Sequence, residues 1–210
     1  MPDEPRVGEV IEACTTDFVA QCYELYQTPP LGALVKTRFE SISDQPPDDS
    51  HLFGVVYRVA TTGLEPGRRA VARGKDELNE EEIYRASPQL TKLLKSEFNV
   101  LVAGYRQGGR VFHYLPPNPA RIHGFVYQCS PAEVKEFSRS FDFLNILLKS
   151  RLDLPVEELV GAALRRMAQA YGLEKHAFLV AAGKELASLL SADYAQLKAI
   201  LKGLKNDAAG

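Results

Sequence analysis

Apolar residues in the first half of the chain recur in short runs without a helix-length polar face, which marks strands rather than helices. Residues 7–13 and 17–26 are rich in Val, Ile, Phe and Tyr and predict two strands. The breaker Thr28-Pro29-Pro30-Leu31-Gly32 separates them from a third strand at about 33–40. A polar Pro/Asp loop at 43–50 leads into a long strand at 52–61, a turn at 62–67 and a short strand near 69–73. Gly8-Glu9-Val10 and Gly54-Val55-Val56 repeat one G-x-V pattern inside two of these runs.

Helical signals then interrupt the strands. Asn79 followed by Glu80, Glu81 and Glu82 sets an N-cap and negative charge where the helix dipole favours it. Ser87-Pro88 reads as a second N-cap, with Leu90, Leu93 and Leu94 on the apolar face of a short helix at 89–97. Strands at 98–106 and 110–115 flank Gln107-Gly108-Gly109, a strong hairpin signal. Pro116-Pro117-Asn118-Pro119 ends the hairpin, and a last strand covers 125–129.

From about residue 131 the apolar period becomes helical. Ser130-Pro131-Ala132-Glu133 predicts an N-cap with Glu at N3. Phe137, Phe141, Leu144, Ile146 and Leu148 belong to one helical region broken near Ser140. Pro155 opens a helix at 155–171 that Gly172 stops, and two more follow at 174–190 and 192–204, the last capped at or near Ser191.

Composition narrows the function classes. An apolar fraction of 45% over 210 residues allows a packed core. A net charge of −2 gives no bulk support for nucleic-acid binding. Cys14, Cys22 and Cys129 form no C-x-x-C pair, so neither a zinc site nor a disulfide framework is expected. Buried thiols in a reducing cytoplasm are the plain reading. The N-terminus lacks the basic and apolar regions of a signal peptide, and no run is long enough to span a membrane.

The motif tests argue against catalysis. Gly183-Lys184-Glu185 is the nearest approach to a phosphate loop, but Phe178 stands where glycine is needed and Glu185 where Ser or Thr is needed. His51, His113, His123 and His176 show no chelating spacing, and no G-x-S-x-G motif occurs. No base is specified beside Cys14 or Cys22, which could both face a barrel interior. No cofactor and no metal are expected. The basic cluster Arg68, Arg69, Arg73 and Lys75 is the candidate contact surface for nucleic acid or a partner, although the acidic run at 77–82 follows at once. Arg165-Arg166 reads as a solvent face. Tyr23/Tyr26 and Phe137/Phe141/Phe143 read as core, because base stacking would need them exposed beside basic residues.

Gly8-Glu9-Val10-Ile11, Pro30-Leu31-Gly32-Ala33-Leu34-Val35, Phe53-Gly54-Val55-Val56, and Pro117-Asn118-Pro119 leading to Gly124-Phe125-Val126 resemble, in order and spacing, the HAS barrel. That domain is shared by HerA-type hexameric DNA translocases and rotary ATP synthases. The resemblance covers residues 7–128 and includes the helical insertion at 80–96. It implies a small closed barrel that sits in rings and, in HerA-like systems, docks a NurA-type nuclease. The motor domain and its phosphate loop are absent here, so ATP hydrolysis and translocation are not carried over.

The expectation is therefore an α+β protein: an N-terminal antiparallel, HAS-barrel-like β domain at 1–130 with a short helical insertion, then an α-helical domain at 131–210. Its expected function is a non-enzymatic assembly or adaptor module in DNA processing, docking onto a NurA-like nuclease or a HerA-like ATPase. The alternative is a stand-alone nucleic-acid-binding barrel. Apolar residues of the C-terminal helices, such as Leu159, Leu173, Leu186 and Ile200, need a shared core against the barrel or another chain. Self-association or a stable hetero-complex is expected on that ground.

Overall fold

The computed structural model describes residues 6–39, 50–65, 67 and 70–205. Seven strands occur among them: β1 (Arg6–Ala13), β2 (Asp17–Gln21), β3 (Leu34–Arg38), β4 (His51–Gly63), β5 (Leu94–Gln107), β6 (Arg110–Phe112) and β7 (Phe125–Gln128). All pair antiparallel, in the order β2-β1-β7-β3-β4-β5, and β5 pairs back onto β2. Six strands thus close a barrel, and closure removes the sheet edges of the ring. β6 lies outside it as a hairpin on β5, with Gln107 paired to Arg110. Gly108 and Gly109 form that turn at φ 58° and 72°, the positive values a two-residue hairpin turn demands.

The barrel wall at β3 and β4 is apolar on both faces because it is covered on both. Val10, Phe18, Val35, Leu52, Val56, Phe98 and Val126 fill the interior. Leu34, Phe53, Val55, Leu101 and Ala103 point outward, into a second cluster built with the C-terminal helices. This explains the unbroken apolar run at 52–56, which alternation would otherwise divide.

Those helices are α3 (Pro131–Phe137), α4 (Leu144–Lys149), α5 (Val156–Gln169), α6 (Lys175–Leu189) and α7 (Tyr194–Lys205), with a 3-10 turn at Gly172–Glu174. The capping box at Ser130 and Glu133 forms as predicted and starts α3. Phe137 at the end of α3 meets the Phe53 ring at 5.3 Å. Lys36 of β3 reaches Glu133 at 2.5 Å, and Arg106 of β5 pairs with Glu136. α5 is buried on most of its surface, against α4, α6, α7 and the barrel. At Asp193 a side-chain oxygen accepts from Gln196 N–H (3.0 Å) and caps α7, two residues beyond the expected Ser191.

Two shorter helices, α1 (Glu80–Ala86) and α2 (Leu90–Leu93), lie between β4 and β5. Asn79 caps α1 by accepting from Glu82 N–H, as expected. The sequence expectation fails at four places. The helix at 89–97 shrinks to Leu90–Leu93, because Leu94, Lys95 and Ser96 pair with Gly63, Thr62 and Thr61 and the period-2 ladder wins. β2 ends at Gln21 rather than 26, because its ladders to β1 and β5 stop there and the chain turns over 23–26, with Tyr26 at φ 66°. Residues 70–73 form no strand; of Ala70, Val71, Ala72 and Arg73 only Val71 favours one, and none has a ladder partner among the described residues. β6 stops at Phe112 instead of 115.

Candidate functional site

β4 and β5 are longer than the barrel needs, and their far ends project as a two-stranded arm whose last pair is Gly63 with Leu94. Segment 70–73, α1 and α2 fold back along this arm. Between them lies an open groove of about 500 Å³, lined by Leu64, Val71, Ile83, Leu90, Leu93 and Leu94 together with Tyr26, Thr61 and Tyr84. A relay of hydroxyls holds the insertion to the arm. Tyr84 meets Tyr26 at 2.6 Å, Tyr26 N–H donates to Ser96 Oγ at 2.9 Å, and Ser96 Oγ meets Thr61 Oγ1 at 2.7 Å. The bond to Tyr84, with partial burial, raises the Tyr26 phenol above its ordinary value. Leu64, Val71 and Leu93 remain 50%, 75% and 44% exposed, so the groove is unfilled apolar surface.

Of the predicted contact residues, Arg73 lines the groove and Lys75 lies in the exposed turn that follows. Arg68 and Arg69 lie outside the described residues. Glu65 and Glu80 line the same groove, so its charged residues carry both signs and the described part forms no continuous positive stripe.

A second surface was not legible in the sequence. On the outer wall of β1 and β7, Glu9 accepts from Tyr23 OH (3.2 Å) and meets His123 Nδ1 at 2.5 Å. His123 sits at φ 64°, a sparsely populated conformation for a side chain of its size. The Arg6 guanidinium stacks 4.0 Å from the Phe125 ring centre. The bond from His123 holds the Glu9 carboxyl below its ordinary value. Tyr23 is half exposed, and Tyr26 more so, which reverses the core assignment of both. Phe137 and Phe143 are fully buried, as expected.

The remaining candidates resolve into structural roles. Gly183 and Lys184 lie inside α6. His113 is packed between Phe137 and Phe143, with Nε2 2.9 Å from Phe137 O. Burial lowers its pKa, against the opposing pull of that bond and Asp142. Cys22 faces the barrel interior, where burial pushes its thiol up to about 11. Cys14 is instead exposed. Arg165 is not merely a solvent residue, because its Nη1 donates to Gly203 O of α7 at 3.0 Å. Among the described residues, no group of three or more His, Cys, Asp or Glu could hold a metal ion, and no helix is long and apolar enough to cross a membrane. A scan of protein-family models and a search of curated proteins return no match to this chain.

Proposed function

We propose that the protein is a non-enzymatic assembly module of the HAS-barrel type that docks a partner protein through the groove under its helical insertion. The observation that carries this reading is the apolar groove, whose exposed leucines and valine lie among charges of both signs. Hydrophobic anchors in a mixed-charge rim are the anatomy of a protein-docking surface. The resemblance of the barrel points to the partner class: a NurA-like nuclease or a HerA-like translocase in DNA processing. Three free cysteines fit a reducing, cytoplasmic setting.

The test places a photo-crosslinking residue at Val71 and identifies the captured protein in a lysate of the native host. A nuclease or ATPase captured by this protein, and lost at least tenfold in a Leu93→Asp variant that keeps its circular dichroism, supports the reading. Capture unaffected by Leu93→Asp would sink it.

A second reading, as a nucleic-acid-binding barrel, is favoured by the β1–β7 wall. Exposed Tyr23 and Phe125 beside Arg6 are the elements of a base-stacking platform. Single-stranded DNA binding that falls with Tyr23→Ala and with rising salt would select it; the adaptor reading expects neither effect.

A further inference from the structure

The arm that carries the groove has one strand edge without a partner among the described residues. β3 pairs with β4 only from His51 to Val55, and Gly32 and Ala33 extend this by bonds to Val56. Beyond that point β4 is bonded to β5 alone, through to Gly63. Leu64 N–H donates to Leu93 O at 2.8 Å, just outside the Gly63–Leu94 pair. In an antiparallel ladder this fixes the alternation: Gly63, Thr61 and Val59 turn their N–H and C=O groups to the opposite edge. No backbone bond to another described residue reaches that edge from 59 to 63. Val59, Thr61 and Thr62 are exposed there.

Natural sheets blunt such edges with Pro, Lys, inward charges or bulges. Residues 59–63 contain none of these residue types, and the nearest register shift in β4 lies before Arg58. β-branched residues at three of the five positions favour an added strand. An open edge of this kind is a template, and the occupant that matches it best is itself.

We propose that a second copy of the chain pairs here, β4 against β4, antiparallel about a two-fold axis at Thr61. All three outward residues are then used: Thr61 faces Thr61 of the other copy, and Val59 faces Gly63, with both bonds exchanged in each pair. A shared Thr–Thr pair is favourable across strands. Arg58, the only charge from 57 to 63, falls opposite Leu64 of the other copy, so no like charges face each other across the axis. The six-stranded barrels would be joined arm to arm in a closed dimer, the commonest symmetry of soluble oligomers. The pairing is made through backbone groups of Val59, Thr61 and Gly63; Thr61 and Gly63 also line the groove, so the dimer borders the proposed docking site but needs no occupant in it.

Cysteine cross-linking of the full chain in a Cys14→Ser background tests the axis. Residues facing each other in a bonded antiparallel pair have Cα atoms about 5.5 Å apart, within disulfide range. Thr61→Cys is expected to form a covalent dimer under mild oxidation at least ten times faster than Thr62→Cys, which is off the axis. Analytical ultracentrifugation of the wild type should show a species of twice the chain mass at micromolar concentration. Val59→Pro, which removes an outward N–H while leaving the β4–β5 backbone bonds and the Thr61–Ser96 hydroxyl bond in place, should weaken that dimer at least tenfold. A wild type that stays monomeric to about 100 µM overturns the proposal, as does cross-linking no faster at Thr61 than at Thr62.

Discussion

At the scale of single residues, charge and thiol chemistry serve the fold. Burial alone would raise the Glu133 carboxyl, but the Lys36 ammonium and the Ser130 bonds outweigh it and hold the pKa below the ordinary 4.5. A depressed carboxylate contributes stability above its unfolded pKa and loses it as pH falls through the folded value. Lys36→Met should therefore cost about 3 kcal/mol at pH 7, the usual penalty for stripping one partner from a buried pair. The gap between variant and wild type should narrow below pH 4.5, where Glu133 no longer needs its cation. Urea titrations followed by circular dichroism at pH 7 and pH 4 check this, and a gap that widens on acidification would contradict it. The cysteines make a simpler case. Cys14 is exposed, while Cys22 and Cys129 are buried. A thiol reagent should titrate Cys14 rapidly in the native protein and the other two only on denaturation. Neither the Lys36–Glu133 pair nor the Glu9–His123 pair was legible in advance, because their partners lie 97 and 114 residues apart. Tyr23 and Tyr26 were misread for a related reason: an aromatic residue after a strand carries no mark of whether the chain turns it in or out.

At the scale of elements, the two apolar periods were readable and most strands and helices follow from them. The capping residues Asn79 and Ser130, the glycine turn at 108–109 and the Pro155 start of α5 were all local signals, and all appear. What local signals could not decide was competition. Leu90, Leu93 and Leu94 keep helical spacing, yet Leu94 joins a strand because β4 offers it a ladder. The same limit hid the purpose of Gly32. It sits at φ 80°, and a Cβ there would stand 2.4 Å from the Ala162 carbonyl carbon and 2.6 Å from Ala163 N of α5. The loop before β3 thus lies directly on the helix backbone, at the small-residue stretch Gly161-Ala162-Ala163. Gly32→Ala should destabilise the protein by about 3 kcal/mol, combining left-handed strain with overpacking. Gly67→Ala makes the comparison, since it shares a positive φ of 79° but has nothing within 4 Å. It should cost about 1 kcal/mol, the strain alone. Equal losses in chemical denaturation would mean that the contact with α5 carries no weight.

At the scale of the whole molecule, the change of apolar period near Ser130 is real in the chain but not in the packing. Leu34, Phe53, Val55 and Leu101 of the barrel share one cluster with Phe137, Leu159, Leu164 and Leu186 of the helices. The apolar faces of the C-terminal helices cover one another around α5, and α4 and α5 rest on the barrel wall, whereas Leu173, expected to need such cover, stays fully exposed. That wall also explains why the candidate groove lies elsewhere: the C-terminal helices occupy the outer face of β3–β5, and among the described residues they leave the projecting arm and the β1–β7 side uncovered. A shared core has a thermodynamic consequence, because elements that bury a common surface lose it together. Residues 6–205 should unfold in one transition, with circular dichroism at helix and strand wavelengths giving the same midpoint. Cutting the chain after Ser130 would bare Leu34, Phe53 and Val55, each at most 4% exposed in the intact protein. The fragment should bind a hydrophobic dye and aggregate rather than fold. If instead it gives dispersed amide resonances, or if the intact protein shows two separated transitions, then barrel and helices are independent units and the packing between them is a contact of folded parts rather than a common core.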